Sequence, residues 1–146
     1  MDARPTLSDP EAAARAHEVA AEFAAGLQRA GAAGDADGYD SDFAADVLWG
    51  SPFGASVAGY AELNTLHHRL MAANVAPRSR FEVVAVRTPA PGVLVTQIRR
   101  EATDTDGFSE MAMYVLVERG GRWWLAAAQN TPVGVSPLQS EAVVGS

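Results

Sequence analysis

Of the three histidines in this chain, His67 falls on an apolar stripe, with Leu63, Leu66, Leu70 and Asn74 recurring at helical spacing around it. An imidazole held there is a candidate proton carrier near neutral pH. The alternative is a core histidine bonded to a backbone carbonyl or to Tyr39. Further along, Arg99 and Tyr114 are of types that can steady a developing oxyanion, and Gln129 can join them. Gln97, Glu110 and Trp123 fall in the same run of strands, as candidates for contact with a ligand. Trp49, Phe53 and Tyr60 are aromatic and lie ahead of that run, where they could form the mouth of a pocket. His17 and His68 read as surface residues.

The elements that must position these groups begin with the strands. Residues 92–131 read as a meander, VLVTQIRREAT, FSEMAMYVLVER and RWWLAAAQNT. Asp106-Gly107 and Gly120-Gly121 are two-residue hairpin loops in this reading, since both central residues must take positive φ. A hairpin register fixes which side chains share a face. This register places Arg99 opposite Tyr114 and Leu116 opposite Leu125. One face then carries Gln97, Arg99, Glu110, Tyr114, Trp123, Leu125, Ala127 and Gln129, a mix of polar and large apolar groups as in a ligand pocket. The other carries Ile98, Met113, Val115, Val117, Trp124 and Ala126, and needs a cover.

Helices precede the meander. Asp9-Pro10-Glu11 is a helix start, and the helix runs to about Arg29 on a stripe of Ala16, Val19, Ala20, Phe23, Leu27 and Ala30, stopped by Gly31 and Gly34. A short second helix is expected over Asp35–Ala45, with Tyr39 and Phe43 four apart. VLW then forms a brief strand, and a helix is expected from Val57 to about Asn74, ended by Pro77. Residues 78–87 alternate as a strand, with a turn from Thr88 to Gly92. Helices set to one side of an antiparallel sheet define an α+β fold. The expected layout is an arm over residues 1–8, one domain over 9–133 and a flexible tail over 134–146.

Composition narrows the function. The 146 residues carry 18 acidic against 11 basic groups, a formal charge of -7, which argues against nucleic acid and against an anionic membrane surface. Lysine and cysteine are absent, so Schiff-base chemistry, thiolate nucleophiles and zinc-thiolate sites are excluded. No metal motif is present: His67 and His68 are adjacent and cannot face one ion from a helix. No phosphate-loop or dinucleotide motif appears, so no cofactor is expected. The polar start, MDARPTLSDPE, carries no secretory signal, and a cytoplasmic protein is the expectation.

Three segments, AGDADGYDSDFAADVLWGSPFG, VAGYAELNTLHHRL and YVLVERGGRWWLAAAQNTP, resemble the nuclear-transport-factor-2-like superfamily, which includes SnoaL-like polyketide cyclases and ketosteroid isomerase. The Gln129-Asn130-Thr131-Pro132 close looks most like the SgcJ/EcaC-type branch of natural-product biosynthesis. The resemblance implies a cone-shaped, curved antiparallel sheet with three helices on its concave side, a cystatin-like α+β barrel. It implies that the Arg99 and Tyr114 face points inward and that the apolar face points outward, which we read as a sheet-to-sheet homodimer. The function expected is a cofactor-independent enzyme of secondary metabolism, performing cyclisation, isomerisation or dehydration on a polyketide-like or other apolar oxygenated substrate. His67 moves the proton in this reading, with Tyr114 and Arg99 as its catalytic partners. The alternative is a non-catalytic protein that binds or shields a biosynthetic intermediate. The aspartate base of the isomerase has no counterpart within the meander.

Overall fold

A stripe of small and apolar side chains lays the first long helix on the sheet. In a computed structural model, which describes residues 3–73, 78–103 and 108–134, Asp9 caps the Glu11 amide at 3.0 Å and a 3₁₀ turn over Pro10–Ala12 leads into α1, Ala13–Ala33. Ala16, Val19, Ala20, Phe23, Leu27 and Ala30 are all buried, as the stripe requires, and α1 packs chiefly on β3, Ser79–Ala90. Alanines on the contact face let the two backbones lie close. Gly31 does not stop the helix; Gly34 does, at φ 65°, a left-handed conformation that glycine adopts without a Cβ penalty.

The second helix is shorter than expected. α2 spans Ala36–Tyr39, capped by Asp35, which accepts from the Gly38 amide at 2.9 Å. The chain turns at Asp40 and enters β1, Phe43–Gly50, well before the brief strand that VLW alone indicates. β2, Ser56–Ala58, takes residues expected at the start of the next helix, and α3 then spans Tyr60–Ala72. Leu63 and His67 are the buried positions of its stripe. Asn74 and Pro77 lie outside the described residues.

β4, Val93–Ala102, β5, Glu110–Arg119, and β6, Arg122–Pro132, complete a six-stranded sheet of order β2-β1-β6-β5-β4-β3, with β1 parallel to β6 and the other pairs antiparallel. The architecture is α+β, a curved sheet with three helices. No helix among the described residues is long and apolar enough to cross a membrane.

Two shifts of register change which residues face inward. β4 meets β5 with Thr96 opposite Tyr114 and Ile98 opposite Ala112, three residues away from the register with Arg99 opposite Tyr114. An odd slip turns every β4 side chain over. Arg99 is therefore exposed and Gln97 lies on the outer side, while Leu94, Thr96 and Ile98 are almost completely buried. The physical reason is burial: the expected register would have put Leu94 and Ile98 in the outer layer and charged Arg99 in the core. Asp106-Gly107 lies outside the described residues.

The second hairpin forms as expected, with Gly120 and Gly121 at φ 61° and 75° and Leu116 opposite Leu125. Past that point β6 carries a bulge: Val115 pairs with Ala127, so Ala126 is the extra residue. Beyond the bulge Ala128 and Asn130 turn inward and are buried, and Ala127 and Gln129 turn outward. Gln129 crosses over Gly50, where a Cβ would stand 2.0 Å from Oε1. Trp123 packs against the core, and Trp124 sits on the outer side under the Arg122 guanidinium, 4.0 Å from the ring centre.

Leu63, fully buried, pins α3 to the sheet and thereby sets the height of His67. Leu63→Ala is expected to lower unfolding free energy by about 2–5 kcal/mol, read from urea denaturation with the slope unchanged. A loss under about 1 kcal/mol would mean that α3 is not held by this contact.

Candidate functional site

A buried aspartate and a buried histidine meet beneath the helices. Asp40 follows α2, with its amide bonded to Ala36 O at 3.0 Å and its carbonyl taking the Phe43 amide at 2.9 Å. That turn drives its side chain into the molecule, where Asp40 is 0% exposed. His67 descends from α3 and is 8% exposed. The His67 Nδ1 stands 2.5 Å from Asp40 Oδ1. A carboxylate only accepts, so Nδ1 carries a proton, and in the neutral imidazole Nε2 is the lone-pair nitrogen. Asn64 completes the carboxylate's coordination by donating from Nδ2 to Asp40 Oδ2 at 3.1 Å.

Aromatic rings box the imidazole. Tyr39 and Trp49 each lie 5.3 Å away, edge on at 83°, and Phe43 lies at 6.2 Å. Phe43 stacks on Trp49 at 5.5 Å, and Trp49 reaches Tyr114 at 6.4 Å. Tyr114 in turn meets Phe23 of α1 edge on at 5.3 Å. The histidine, both tyrosines and Trp49 therefore form one continuous cluster across the concave face.

The charged end of the cluster is an ion pair. Arg100 and Glu110 are opposite one another across β4 and β5, with Nη2 to Oε1 at 3.0 Å and Nε to Oε2 at 3.2 Å. Arg100 Nη1 also donates to Ser79 at 2.7 Å, and Phe108 lies 5.1 Å from the guanidinium carbon. Their side chains are only 12% and 14% exposed. Burial holds the Tyr114 phenol well above its ordinary range, reinforced by its neighbours Tyr39 and Glu110 and resisted by Arg100. Burial does the same for Tyr39, reinforced by Glu110 and resisted by Arg100. Both phenols therefore stay protonated and act as donors. Among the described residues neither the Tyr114 hydroxyl nor His67 Nε2 has a hydrogen-bond partner.

Of the residues expected at the site, His67, Tyr114, Trp49, Glu110 and Trp123 face the concave side. Tyr60 is half-buried at the start of α3, and its phenol is also raised, first by desolvation and then by Asp40 and Asp37. Phe53 is 78% exposed and lies 5.6 Å from Phe108, at the end of the sheet where Gly50 and Asn130 meet. Arg99, Gln97 and Gln129 do not join the cluster; the slip in β4 and the bulge in β6 turn them away. Their places are taken by Arg100, Thr96 and Asn130. Asp40 was not singled out from the sequence, although a histidine on a buried stripe needs a polar partner and the acid-rich run before β1 contains one.

Two depressions open on the other side of the sheet. One of about 710 Å³ is lined by Ala44, Asp46, Tyr60, Val117, Trp124 and Ala126, where β1 parts from β6; another of about 420 Å³ lies between Leu48, Met113, Val115 and Ala127.

No family model and no curated protein matches the chain. Solved structures do match. A domain of unknown function with a cystatin-like fold from Nostoc punctiforme superposes with a TM-score of 0.74 at 15% identity, over 90% of this chain and 85% of that one. A ketosteroid isomerase-like protein from Erwinia carotovora atroseptica gives 0.66 at 13% identity, over 80% and 95%. Aln2 from a Streptomyces species gives 0.68 at 15% identity, over 95% and 98%. At these identities the likeness establishes the fold, which is cystatin-like.

Phenol ionisation provides a check on the cluster. A group whose folded pKa is raised contributes stability that is intact below its unfolded value and lost as pH rises beyond it. Tyr39 and Tyr114 should thus leave stability flat up to about pH 10 and lower it above. The Tyr39 and Tyr114 share of phenolate absorbance near 295 nm should grow with unfolding rather than before it, and Tyr114→Phe should soften the alkaline transition. Free titration of every tyrosine near pH 10 in folded protein would show that the hydroxyls are open to water.

Proposed function

We propose that the protein is an acid/base enzyme acting on an uncharged, oxygenated small molecule held in the cone. The observation that carries the reading is the buried Asp40–His67 pair, with Tyr39 and Trp49 edge on to the imidazole and Tyr114 reached through Trp49. His67 Nε2 takes a proton from a carbon beside a carbonyl, and the C–H electron pair moves into the new double bond. Charge gathers on the carbonyl oxygen, where Tyr114 donates, and Asp40 steadies the imidazolium. Return of the proton to a different carbon gives isomerisation. Its delivery to a departing hydroxyl gives dehydration, and attack of the enolate carbon on a second carbonyl gives cyclisation.

The charges favour a neutral substrate. Among the described residues the cation of this cluster, Arg100, is held by Glu110 at two contacts, and Asp40 answers His67. An added carboxylate or phosphate would meet two fixed acids and no free cation. Phe53 and Phe108, 5.6 Å apart, would stand at the mouth of the site. The ketosteroid isomerase-like likeness supports this class of reaction, and the Gln129-Asn130-Thr131-Pro132 close supports a setting in secondary metabolism.

Exchange of the acidic C–H protons of 2-tetralone into deuterated water, followed by NMR against buffer alone, tests the assignment. His67→Ala is expected to reduce protein-dependent exchange by about 10²–10⁴-fold, with Tyr114→Phe intermediate. Equal rates for wild type and His67→Ala would remove the enzyme reading. Binding of 2-naphthol retained by His67→Ala with exchange unaltered would favour a carrier instead.

The outer face supports a homodimer as the quaternary state. Leu48 is 55% and Met113 44% exposed there, beside Val115 and Ala127. Sedimentation equilibrium should give twice the chain mass, and Met113→Lys should give the monomer. A wild-type monomer at tens of micromolar would exclude the dimer.

A further inference from the structure

We infer that Asn64 is the positioning residue of the Asp40–His67 pair, and that the exposed Asp37–His68 pair is its anchor. The inference rests on the reading of Asp40 and His67 as the proton carrier. Residues 64, 67 and 68 lie three and four apart on α3 and share one face. Residues 37 and 40 lie three apart across α2 and its end. The two short stretches therefore meet as matched sets, and one nitrogen joins them. Asn64 Nδ2 donates to Asp40 Oδ2 at 3.1 Å and to Asp37 Oδ1 at 3.2 Å. The same Asp37 oxygen stands 2.7 Å from His68 Nε2.

The chemistry fixes the orientation of the amide. Both carboxylates accept only, so the two hydrogens of Nδ2 must face them, one each, and the amide oxygen must point away. Flipping the amide would set an oxygen against two acids. Asp37 stays ionised because His68, and after it Asn64, holds its carboxyl below the ordinary range. The outer pair is solvent-exposed, with side chains 53% and 71% accessible, and such pairs contribute little to stability. What it does instead is hold Asn64 at one end, so that the other end holds Asp40.

The need for this follows from α2. That helix is four residues long, and the carboxylate just beyond it is fully buried. Two groups fix its rotation: His67 on Oδ1 and Asn64 on Oδ2. Without Asn64, Oδ2 is left in the interior with no donor, and the carboxylate must turn or withdraw to find one. Oδ1 then leaves His67, and the imidazole is free to adopt the other tautomer with Nδ1 as the lone-pair nitrogen. An amide that touches no ligand thus decides which nitrogen faces the cone.

The test uses full-length protein labelled with ¹⁵N at histidine. Wild type should show a far-downfield His67 Nδ1–H resonance and the Nδ1–H tautomer. Asn64→Leu, similar in volume but unable to donate, should lose that resonance and mix the tautomers. Protein-dependent exchange of 2-tetralone should fall by about 10–100-fold, the size seen when a partner that orients a functional histidine is removed from metal sites. Asp37→Ala changes an exposed side chain, keeps the fold, and should weaken the resonance to a lesser degree. An undiminished resonance in folded Asn64→Leu, or in Asp37→Ala should Asn64→Leu not fold, overturns the inference while leaving the dyad intact. Absence of the resonance in wild type, with exchange insensitive to His67→Ala, removes the dyad reading itself.

Discussion

A carboxylate sealed from water is the constraint around which this molecule is built. Asp40 is 0% exposed, and an ionised acid in that position is tolerable only with donors on both oxygens. One donor comes from His67 and the other from Asn64, both on α3. The acid itself hangs from the end of α2, whose own cap is Asp35. The pairing therefore holds two helices against each other and over the sheet. Trp49 of β1 then closes on the imidazole, so the first strand of the sheet is bound into the same arrangement.

The sheet answers with a face on which polar groups are already paired. Thr96 gives its hydroxyl to Ala85 O at 2.8 Å, Asn130 gives its amide to Gly50 O at 2.9 Å, and Arg100 is held by Glu110 and Ser79. Each of these contacts silences a group that would otherwise compete for a ligand. Among the described residues the Tyr39 and Tyr114 phenols and His67 Nε2 have no such partner, and they lie within a continuous set of aromatic contacts. A low-dielectric site with a few uncommitted polar atoms is one in which a directed hydrogen bond carries more weight than in water.

Much of this layout was legible in the chain, and what was not has physical causes. The stripe of α1, the Gly120-Gly121 turn and the burial of His67 follow from periodicity and positive φ, which are local properties. The inward position of Tyr114 also follows, because the second hairpin holds its register as far as Leu116. Arg99 and Gln129 lie off the inner face through long-range effects. The register of β4 goes with burial of Leu94 and Ile98, a property of the packed sheet rather than of the local turn. The bulge at Ala126 falls in a run of three alanines, where no side chain marks the extra residue. Val84 is a similar case: the shift between Val83 and Ala85 leaves it 45% exposed and sends Val86 to the core side. Asp40 was hidden because it stands in a run of acids that reads as a solvated helix.

The β6 bulge bears on chemistry as well as on shape, because it exchanges Gln129 for Asn130 on the inner face. On β1, Phe43, Val47 and Trp49 are an even number of residues apart and share the inner face, while Leu48 turns out. Had β6 run without interruption, the inner face at this end would have presented the longer amide. With the extra residue it is the shorter Asn130 that is buried there, tied to Gly50 O at 2.9 Å, and Gln129 is left on the outer side. One irregular step in the pleat therefore decides which amide shares a face with Tyr114 and Trp49.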